Sequence, residues 1–592
     1  MKSTRARAVT PERGATVPDT ERLIATPVLV IGTGGAGLRA AIELAERGVG
    51  VLALGKRPKG DAHTTLAAGG INAALATMDP QDTWRQHAAD TLQESYLLAD
   101  PRTVRIVTEN AARGIDDLVR YGMPFAREAD GRISQRFFGA HTWRRTAFSG
   151  DYTGLEIQRT LINRAARLKV PILDTVCVTR LLVRDNAVFG AYGFDLDDGA
   201  RYVIHADAII LATGGHTRIW RRTSSRRDEN TGDSFRLAVL AGARIRDPEL
   251  VQFHPSGLIE PENAAGTLVS EAARGEGGRL LNDLGERFMA RYDPERMELS
   301  TRDRVALAAY TEIKEGRGTP AGGVRLDVSH LPRDTIMARL PRVYQTLLEL
   351  QMLDITKDPI EVAPTAHYSM GGVWVRPEDH GTDVEGLYAI GEAASGLHGA
   401  NRLGGNSLIE LLVYGRITAA AAAAHAASRD TQRRGGTALT EARREVDDLL
   451  ACDGPENVRA LQRAVRDVMT EHCGVVRDEA GLRQGLVELA AIEARMGDLG
   501  VHPDLAGYQD LAHAFDLKST VLAARATLEA ALERRETRGC HNRSDHPETD
   551  SSLRVNLVWS GPGRIEREPL PQIPAEIAEL MREVSATGKL VE

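Results

Sequence analysis

A glycine-rich turn near the start of the chain limits its fold more than any other feature. The turn reads Gly32-Thr33-Gly34-Gly35-Ala36-Gly37 and follows a short β-branched apolar run at residues 26–31. An apolar-periodic helix comes next, and a second apolar strand at residues 49–54 completes the unit. Glycines at these positions let the backbone and the helix N-terminus approach a pyrophosphate. The pattern therefore predicts a dinucleotide-binding α/β domain.

The residues after the second strand argue against NAD as the ligand of this turn. Domains that bind NAD carry an Asp or Glu there to hold a ribose hydroxyl, whereas this chain has Gly55-Lys56-Arg57. Two later segments, residues 208–215 and 386–392, are apolar runs that end in glycine turns. Such runs are typical of further buried strands of the same domain. Because the two segments lie far apart, we expect a second domain inserted between them.

The length of the chain requires several domains, because 592 residues are too many for one hydrophobic core. Beyond residue 430 a Leu/Ala periodicity among charged residues predicts a helical bundle. The polar first residues lack the apolar core of a secretory signal. The predicted parts are a disordered leader at 1–25, a dinucleotide-binding domain at 26–254 and 363–430, an inserted domain at 255–362, a helical domain at 431–535 and a C-terminal tail at 536–592.

Composition excludes several classes of partner and site. The net charge of −8 gives no electrostatic basis for binding nucleic acid. No apolar run in the sequence approaches the roughly 20 residues that span a bilayer, so we predict a cytoplasmic protein. The four cysteines are too scattered for a disulfide framework, a zinc site or an iron–sulfur cluster built by this chain alone. No metal site is predicted.

Arginines and histidines lie beside turn-forming glycines in several separate segments. Taken singly, each has a structural interpretation: Glu271 and Arg274, for example, have the i,i+3 spacing of an ordinary helical ion pair. Two arginines and two histidines that converged on one point would instead bind a small dianion such as a dicarboxylate. The segments are residues 251–257, 270–278, 300–303, 367–372 and 399–407.

These segments resemble the flavoprotein subunits of succinate dehydrogenase and fumarate reductase, with L-aspartate oxidase as a sister group. The resemblance runs from about residue 26 to residue 550. It implies an α/β fold: a Rossmann-like FAD-binding domain with an inserted α+β capping domain and a C-terminal helical domain. The motifs that carry it are, in order, QFHPSGL, SEAARGEGGRLLN, GERFM, RDRV, HYSMGG, LYAIGEAASGLHGANRLGGNSL and ETRGCHNRSDHPETD.

The resemblance also assigns roles to individual residues. Those implied to bind FAD are Gly32, Gly34, Gly35, Gly37, Lys56, His63, Thr64, Gly69, Gly70, Asp233, Glu392, Ser407 and Leu408. Those implied to hold the two carboxylates of succinate or fumarate are His254, Ser270, His367 and Arg402. Those implied to move the proton are Arg302, as donor or acceptor, with Glu271 and Arg274 as its relay.

The family resemblance further implies partners. Electrons stored on the flavin leave singly, normally through an iron–sulfur subunit, and this chain has no cysteine pattern that would bind such a cluster. The resemblance therefore implies a separate iron–sulfur subunit as partner, with a membrane anchor bound through it. We then expect the chain to lie peripherally on the cytoplasmic face of the membrane.

The loop around His63 departs from the family pattern. The family usually has Arg-Ser-His-Thr, whereas this chain has Asp61-Ala62-His63-Thr64, which removes a positive charge next to the histidine. Ala68 stands where a Gln or Glu usually precedes the paired glycines. His63 matches the family's covalent attachment residue, so it is either the covalent anchor of FAD or a residue that only lines the pocket.

Two alternatives to a succinate/fumarate enzyme stay open. L-aspartate oxidases have a Glu where this chain has Phe138, and a phenyl ring cannot neutralise the ammonium of a buried amino-acid substrate. Those oxidases also lack a histidine at the position of His63. The second alternative, a flavin-binding assembly subunit without turnover, predicts a missing clamp or acid residue. The sequence thus favours FAD-dependent interconversion of succinate and fumarate.

Overall fold

Mixed α and β structure runs along the whole described chain. The computed structural model describes residues 21–137, 139–429, 432, 434–504 and 507–587. Their strands are β1 (Glu21–Ile31), β2 (Val51–Leu54), β3 (Ile71–Asn72), β4 (Gln135–Arg136), β5 (Thr146–Ala147), β6 (Ile172–Leu173), β7 (Val176–Arg184), β8 (Ala187–Asp195), β9 (Arg201–Leu211), β10 (Ile245–Arg246), β11 (Val251–Leu258), β12 (Arg279–Leu281), β13 (Val324–Asp327), β14 (Ile360–Ser369), β15 (Gly372–Val373), β16 (Leu387–Ala389), β17 (Glu456–Asn457), β18 (Val476–Arg477), β19 (Leu499–Gly500), β20 (Asn542–Arg543), β21 (Val555–Gly561) and β22 (Arg564–Pro569).

Helices connect and cover these strands. They are α1 (Gly35–Glu46), α2 (Trp84–Glu94), α3 (Pro101–Tyr121), α4 (Thr153–Arg167), α5 (Asp233–Ala241), α6 (Ala272–Gly275), α7 (Met289–Tyr292), α8 (Arg302–Glu312), α9 (Arg333–Arg339), α10 (Pro341–Gln351), α11 (Asn406–Ala427), α12 (Gly436–Leu450), α13 (Val458–His472), α14 (Glu479–Arg495), α15 (Gln509–Glu533) and α16 (Ala575–Thr587).

A seven-stranded sheet carries the glycine-rich turn at the end of its central strand. Its order is β6-β2-β1-β9-β8-β7, with β16 also paired to β9. Five strands run parallel to one another: β6, β2, β1, β9 and β16. They include β9 and β16, which contain the two later strands that the sequence predicted. Two positions of the turn require glycine. Gly32 has a φ of +117°, and a Cβ on Gly37 would lie 1.9 Å from the carbonyl oxygen of Gly32. These glycines let α1 start directly against the strand end.

The first strand begins earlier than the sequence indicates. Residues 21–25, which we assigned to the disordered leader, belong to β1 and pair in parallel with residues 201–205 of β9. Four of the five are exposed and Ile24 is only partly buried, so a search for a buried apolar run does not identify them. Backbone pairing with the long strand β9 accounts for the extension, because it satisfies the backbone donors and acceptors without a buried side-chain face. Residues 1–20 of the predicted leader lie outside the described residues.

A second, four-stranded sheet contains two of the predicted site histidines. Its order is β11-β14-β13-β12, all antiparallel. His254 lies on β11 and His367 on β14, so strand pairing brings two segments more than 100 residues apart side by side. The predicted domain boundaries at 254/255 and 362/363 fall inside these two strands. The division into domains remains a prediction.

The helices after residue 430 pack as a bundle against the main sheet. α13, α14 and α15 contact one another, and α15 also contacts α5. Leu461, Val465 and Leu517 of the bundle belong to the same buried cluster as Phe194 of β8. The bundle therefore shares its hydrophobic core with the sheet. This matters for the site, because α15 supplies a side chain to it.

The segment predicted as a tail contains regular structure. β20 pairs with β18, and β21 pairs with β10 and β22. Val558 and Trp559 of β21 are buried. Residues 536–561 thus help to build the core instead of only wrapping the surface. The polar composition of residues 536–550 hides this, because few of their side chains are apolar.

α11 is long and apolar enough to cross a membrane by length and composition alone. We predicted no such run from the sequence, because the helix owes its hydropathy largely to alanines. It packs against α1, α3 and β9, and 61% of its most apolar window is buried inside the protein. These contacts are those of a core helix.

Candidate active site

One continuous cleft connects the glycine-rich turn with the predicted clamp. Its volume is about 2790 Å³, larger than the roughly 300–1000 Å³ typical of a site for one small ligand. Gly32 and Gly34 line one part, and His254, Arg302 and Arg402 line another. The cleft is thus large enough for a dinucleotide and a second, small molecule.

The end of the cleft at α1 fits the pyrophosphate of a dinucleotide. Gly34 precedes the helix and has no side chain to cap it, so backbone N–H groups of the first turn face the cleft. Thr64 fastens the next loop to this turn, because its Oγ1 accepts a hydrogen bond from the N–H of Gly35 at 3.1 Å. The predicted residues Gly34, Gly35 and Thr64 therefore lie together.

Lys56 is held by two carboxylates from different parts of the chain. Its Nζ donates to Asp233 Oδ2 and Asp516 Oδ1, both at 2.7 Å. Burial opposes the ammonium charge, and these carboxylates more than offset it, so the pKa of Lys56 lies well above its ordinary value. The two predicted cofactor residues Lys56 and Asp233 are thus paired with each other. Asp516, which comes from α15, was not predicted from the sequence.

His63 pairs with a carboxylate that the sequence did not indicate. Its Nδ1 lies 3.2 Å from Glu229 Oε2. Burial alone would lower the pKa of His63, but the hydrogen bond to Glu229 leaves it raised. Because the carboxylate occupies Nδ1, the other ring nitrogen, Nε2, is the atom left to face a ligand. Glu229 lies 166 residues along the chain, so no local pattern could have identified it.

The loop before His63 has positive charges beside it after all. The sequence indicated that replacing the family's Arg by Asp61 removes them. In the structure Asp61 pairs with Arg57 and Arg226, and Arg226 also donates to Thr65 Oγ1 at 3.0 Å. Two arginines therefore lie beside the loop, and both are paired with the carboxylate of Asp61. Arg57 lies four residues before Asp61, and tertiary packing supplies Arg226.

The other predicted cofactor residues surround the middle of the cleft. Glu392 accepts a hydrogen bond from the N–H of Ser369 at 3.0 Å, and burial raises the pKa of Glu392. Ser407 and Leu408 lie in the first turn of α11, whose N-terminus favours negative charge on a ligand. Gly69 and Gly70 line the cleft opposite, where Arg136 donates to the carbonyl of Gly69.

His254 and His367 are neighbours in the clamp. Their ring centroids are 5.4 Å apart, and the ring planes meet at 75°. Burial and the nearby arginines hold the pKa of each histidine well below its ordinary value, so both rings are neutral at neutral pH. His254 Nδ1 accepts a hydrogen bond from the N–H of Ser256 at 3.2 Å. The proton of this neutral ring is therefore on Nε2, which can donate to a carboxylate.

Arg402 completes the cationic side of the clamp. Its guanidinium donates to Ser407 Oγ at 3.0 Å and stacks 4.5 Å above the ring centroid of Tyr368. Burial and the charge of Arg302 lower the pKa of Arg402 to about 10, which still leaves it a cation at neutral pH. Ser270 also lines this part of the cleft. The four predicted substrate residues thus lie along one cavity.

Arg302, Glu271 and Arg274 form a chain of charges. Arg302 is the first residue of α8, where the helix dipole disfavours a cation, and Glu271 supplies the opposing negative charge. Arg302 Nη2 donates to Glu271 Oε2 at 2.6 Å, and Arg274 Nη2 lies 3.7 Å from Glu271 Oε1. Burial would raise the pKa of Glu271, but the two arginines lower it to about 2. Glu271 is therefore a carboxylate between two guanidiniums.

One residue that touches both Arg302 and Arg402 was not predicted from the sequence. Gln252 Oε1 accepts hydrogen bonds from Arg402 Nη2 at 2.9 Å and from Arg302 Nη1 at 3.3 Å. Gln252 lies two residues before His254 on β11, so both side chains point to the same face of the sheet. That spacing was a signal we could have used. Phe138, on which the comparison with aspartate oxidase depends, lies outside the described residues.

Comparison with known proteins agrees with the fold. A family model described as an FAD binding domain matches residues 27–408, and one described as fumarate reductase flavoprotein C-term matches residues 462–575. A fumarate reductase (CoM/CoB) subunit of Methanothermobacter marburgensis is 42% identical over 534 residues, which cover 90% of this chain and 96% of that protein. The succinate dehydrogenase flavoprotein subunit of Rickettsia bellii is 36% identical, with 94% and 96% covered.

A solved structure gives the same result for the fold. The chain matches Sdh1 of Mycobacterium smegmatis, solved in complex with UQ1, with a TM-score of 0.87 and 36% identity, over 96% of this chain and 98% of that one. The predicted fold class and cofactor are confirmed. The chain belongs to the succinate dehydrogenase/fumarate reductase flavoprotein family, and its cofactor is FAD.

Proposed function

We propose that this protein interconverts succinate and fumarate as the catalytic flavoprotein subunit of a succinate dehydrogenase or fumarate reductase. One observation carries the proposal. The pair Arg302–Glu271, with a distance of 2.6 Å, lies in the same cleft as His254, His367 and Arg402, and the glycine-rich FAD turn lines that cleft too. The relatives above carry the names of both a succinate dehydrogenase and a fumarate reductase.

The clamp residues are suited to a four-carbon dicarboxylate. Arg402 brings a positive charge, and the neutral ring of His254 brings a hydrogen-bond donor. His367 and Ser270 add further polar contacts in the same cavity. Such donors, aimed at both carboxylates, polarise the carbon–carbon bond between them and favour the transition state. FAD, when bound, supplies the acceptor or donor of two electrons.

Arg302 is the proposed proton donor and acceptor. A guanidinium gives up a proton reluctantly, so it needs a partner that restores the proton at once. Glu271, bonded to Arg302 and close to Arg274, is the first step of that return path. Arg274 Nη1 donates to the carbonyl of Glu298 at 2.7 Å, which keeps its guanidinium pointing along the path.

The partners and location follow from the same proposal. We infer an iron–sulfur subunit that takes single electrons from the flavin, and a membrane anchor bound through it. The protein would then lie on the cytoplasmic face of the membrane. Neither alternative function is proposed: all clamp and proton-transfer residues are present, and the relatives compared above are named for succinate or fumarate chemistry.

Anaerobic assays of the purified, FAD-loaded protein test the function. Fumarate with reduced viologen, succinate with an oxidised dye, and L-aspartate with the same dye are compared side by side. We expect turnover of both diacids and none of aspartate. Turnover of aspartate alone would show that the protein is an aspartate oxidase instead.

A further inference from the structure

The amide of Gln252 has only one orientation that its surroundings allow. Its Nε2 donates to Asn401 Oδ1 at 2.8 Å and to the carbonyl of Arg402 at 3.1 Å. Its Oε1 therefore faces the guanidiniums of Arg402 and Arg302. The reverse orientation would place amide donors against guanidinium donors, and Gln252 is fully buried, so water cannot relieve that conflict.

Asn401 fixes Gln252 from behind. Its Oδ1 also accepts a hydrogen bond from its neighbour's N–H, that of Arg402, at 3.1 Å. Its Nδ2 donates to Glu94 Oε1 at 2.7 Å and Asp303 Oδ1 at 2.9 Å. Because acceptors lie next to its Nδ2 and donors lie next to its Oδ1, the orientation of the Asn401 amide is fixed as well. The two guanidiniums, the two amides and the two carboxyl groups thus form one connected network.

Arg302 and Arg402 share the amide oxygen of Gln252, and because this acceptor is neutral it leaves the charge of Arg402 available to a dianion. A carboxylate at the same place would neutralise their charge and compete with the carboxylates of the substrate. An apolar side chain would leave two like charges without a common partner, and their repulsion would move them apart. Burial and the charge of Arg302 already depress the pKa of Arg402, so this repulsion is felt in the fold.

We propose that Gln252 is a positioning residue: its amide oxygen holds the proton donor Arg302 beside the substrate-binding Arg402 and adds no negative charge that would compete with the dicarboxylate. This inference rests on the proposed function, because it assigns Arg402 to substrate binding and Arg302 to proton transfer. It goes beyond that function by naming a residue that does not line the cleft but sets the geometry of both arginines.

Two substitutions of similar size separate positioning from charge. Gln252→Met removes the shared acceptor and keeps the positive charges, so we expect kcat to fall about tenfold with a smaller change in KM. Gln252→Glu keeps an acceptor and adds a negative charge, so we expect KM to rise at least tenfold with a smaller change in kcat. A change that merely loosened the fold would not produce these opposite patterns.

A binding measurement independent of turnover accompanies the kinetics. Malonate, a small dicarboxylate, is titrated into each FAD-loaded variant while the flavin absorbance is followed. We expect the malonate Kd to rise at least tenfold for Gln252→Glu and less for Gln252→Met. Gln135→Met is the matched control: Gln135 is a buried glutamine that bonds Ala73 and Thr77 and contacts neither arginine. It should leave KM, kcat and the malonate Kd unchanged.

Several outcomes would overturn the inference. One is kcat, KM and malonate Kd within twofold of the wild type in both FAD-loaded variants. Another is a fall in kcat and a rise in KM and in malonate Kd that all follow a loss of bound FAD, which would mean a purely structural role. If Gln252→Met does not fold, Gln252→Asn replaces it, since retracting the amide by one methylene removes its reach to both arginines. If the wild type turns over neither diacid, the proposed function fails, and the malonate titrations alone decide the role of Gln252.

Discussion

Arg302 and Glu271 are joined by two hydrogen bonds that end on a single carboxylate oxygen. Arg302 Nη2 and Nε lie 2.6 and 2.8 Å from Glu271 Oε2. The other oxygen of Glu271 stays free to face Arg274. Charge-assisted bonds of this length hold the guanidinium in a single orientation. The arrangement holds the guanidinium of Arg302 in one orientation at the cleft and provides a route by which a proton can return to it.

Arg302→Lys should nearly abolish turnover while FAD stays bound. A lysine keeps the charge but cannot reproduce the planar, forked contact with Glu271, and loss of a positioned acid–base group costs about 10²–10⁴-fold in rate. Anaerobic fumarate reduction measures the rate, and flavin absorbance measures the cofactor. Arg325→Lys is the control, because Arg325 lies on β13 and pairs with Asp283 near the surface. Activity within tenfold of wild type in Arg302→Lys would refute the assignment of the proton donor.

His63 is expected to hold FAD covalently. Glu229 occupies Nδ1 of the ring and leaves Nε2 available, which suits attachment through that atom. After acid precipitation, the flavin absorbance and fluorescence should remain with the wild-type chain and appear in the supernatant for His63→Ala. Glu229→Gln should lower the covalently bound fraction while leaving the protein folded. Free flavin in the wild-type supernatant would mean that His63 only lines the pocket.

Removing the ammonium of Lys56 should destabilise the contact between the FAD-binding sheet and the helical bundle. Lys56→Met leaves the partly exposed Asp233 and the buried Asp516 as neighbouring carboxylates without their cation. Breaking a fully buried ion pair on one side typically costs about 3–5 kcal/mol, and the partial exposure of Lys56 and Asp233 makes the expected loss smaller. The midpoint temperature of thermal unfolding and the FAD content should both fall. Adding Asp516→Asn should recover part of the loss, and a double variant no more stable than Lys56→Met would show that Asp516 is not the coupled partner.

Unfolding should take up protons in mild acid because of buried histidines. Burial lowers the pKa of seven of them, three to about 3 and four well below the ordinary value, whereas the unfolded chain binds a proton at each near pH 6.5. The free energy of unfolding should therefore fall as the pH drops below about 6.5, by up to about 1.4 kcal/mol per pH unit for each histidine. The seven are His87, His216, His380, His141, His254, His367 and His541.

Two groups help to interpret that experiment. His63, with its raised pKa, acts in the opposite sense: its contribution is present below pH 6.5 and is lost as the pH rises. Glu271, with a pKa of about 2, stays ionised throughout and adds nothing to the change. Thermal unfolding is followed between pH 7.5 and 5.5. Calorimetry in buffers of different ionisation enthalpy counts the protons that the protein takes up on unfolding. A midpoint that does not move over this range would contradict the prediction.

Local patterns were sufficient for the parts of this protein that local backbone geometry controls. The glycine turn at residues 32–37 predicted a strand, a helix start and a dinucleotide site, because positive φ and close backbone approach admit little but glycine. The segments around His254 and Arg302 predicted a clamp by their residue types. The start of β1 at Glu21 was not predictable in this way, since its pairing with β9 depends on backbone contacts and not on an apolar face.

The sequence by itself determined the FAD fold, the family and the set of residues in the clamp. Only the tertiary structure decided which charges meet: Glu229 at His63, Arg226 at Asp61, and Gln252 between Arg302 and Arg402. These partners lie 50 to 166 residues apart. Hydrogen bonds and ion pairs act over a few ångströms, so packing of the two sheets and the helical bundle, not spacing along the chain, selects them.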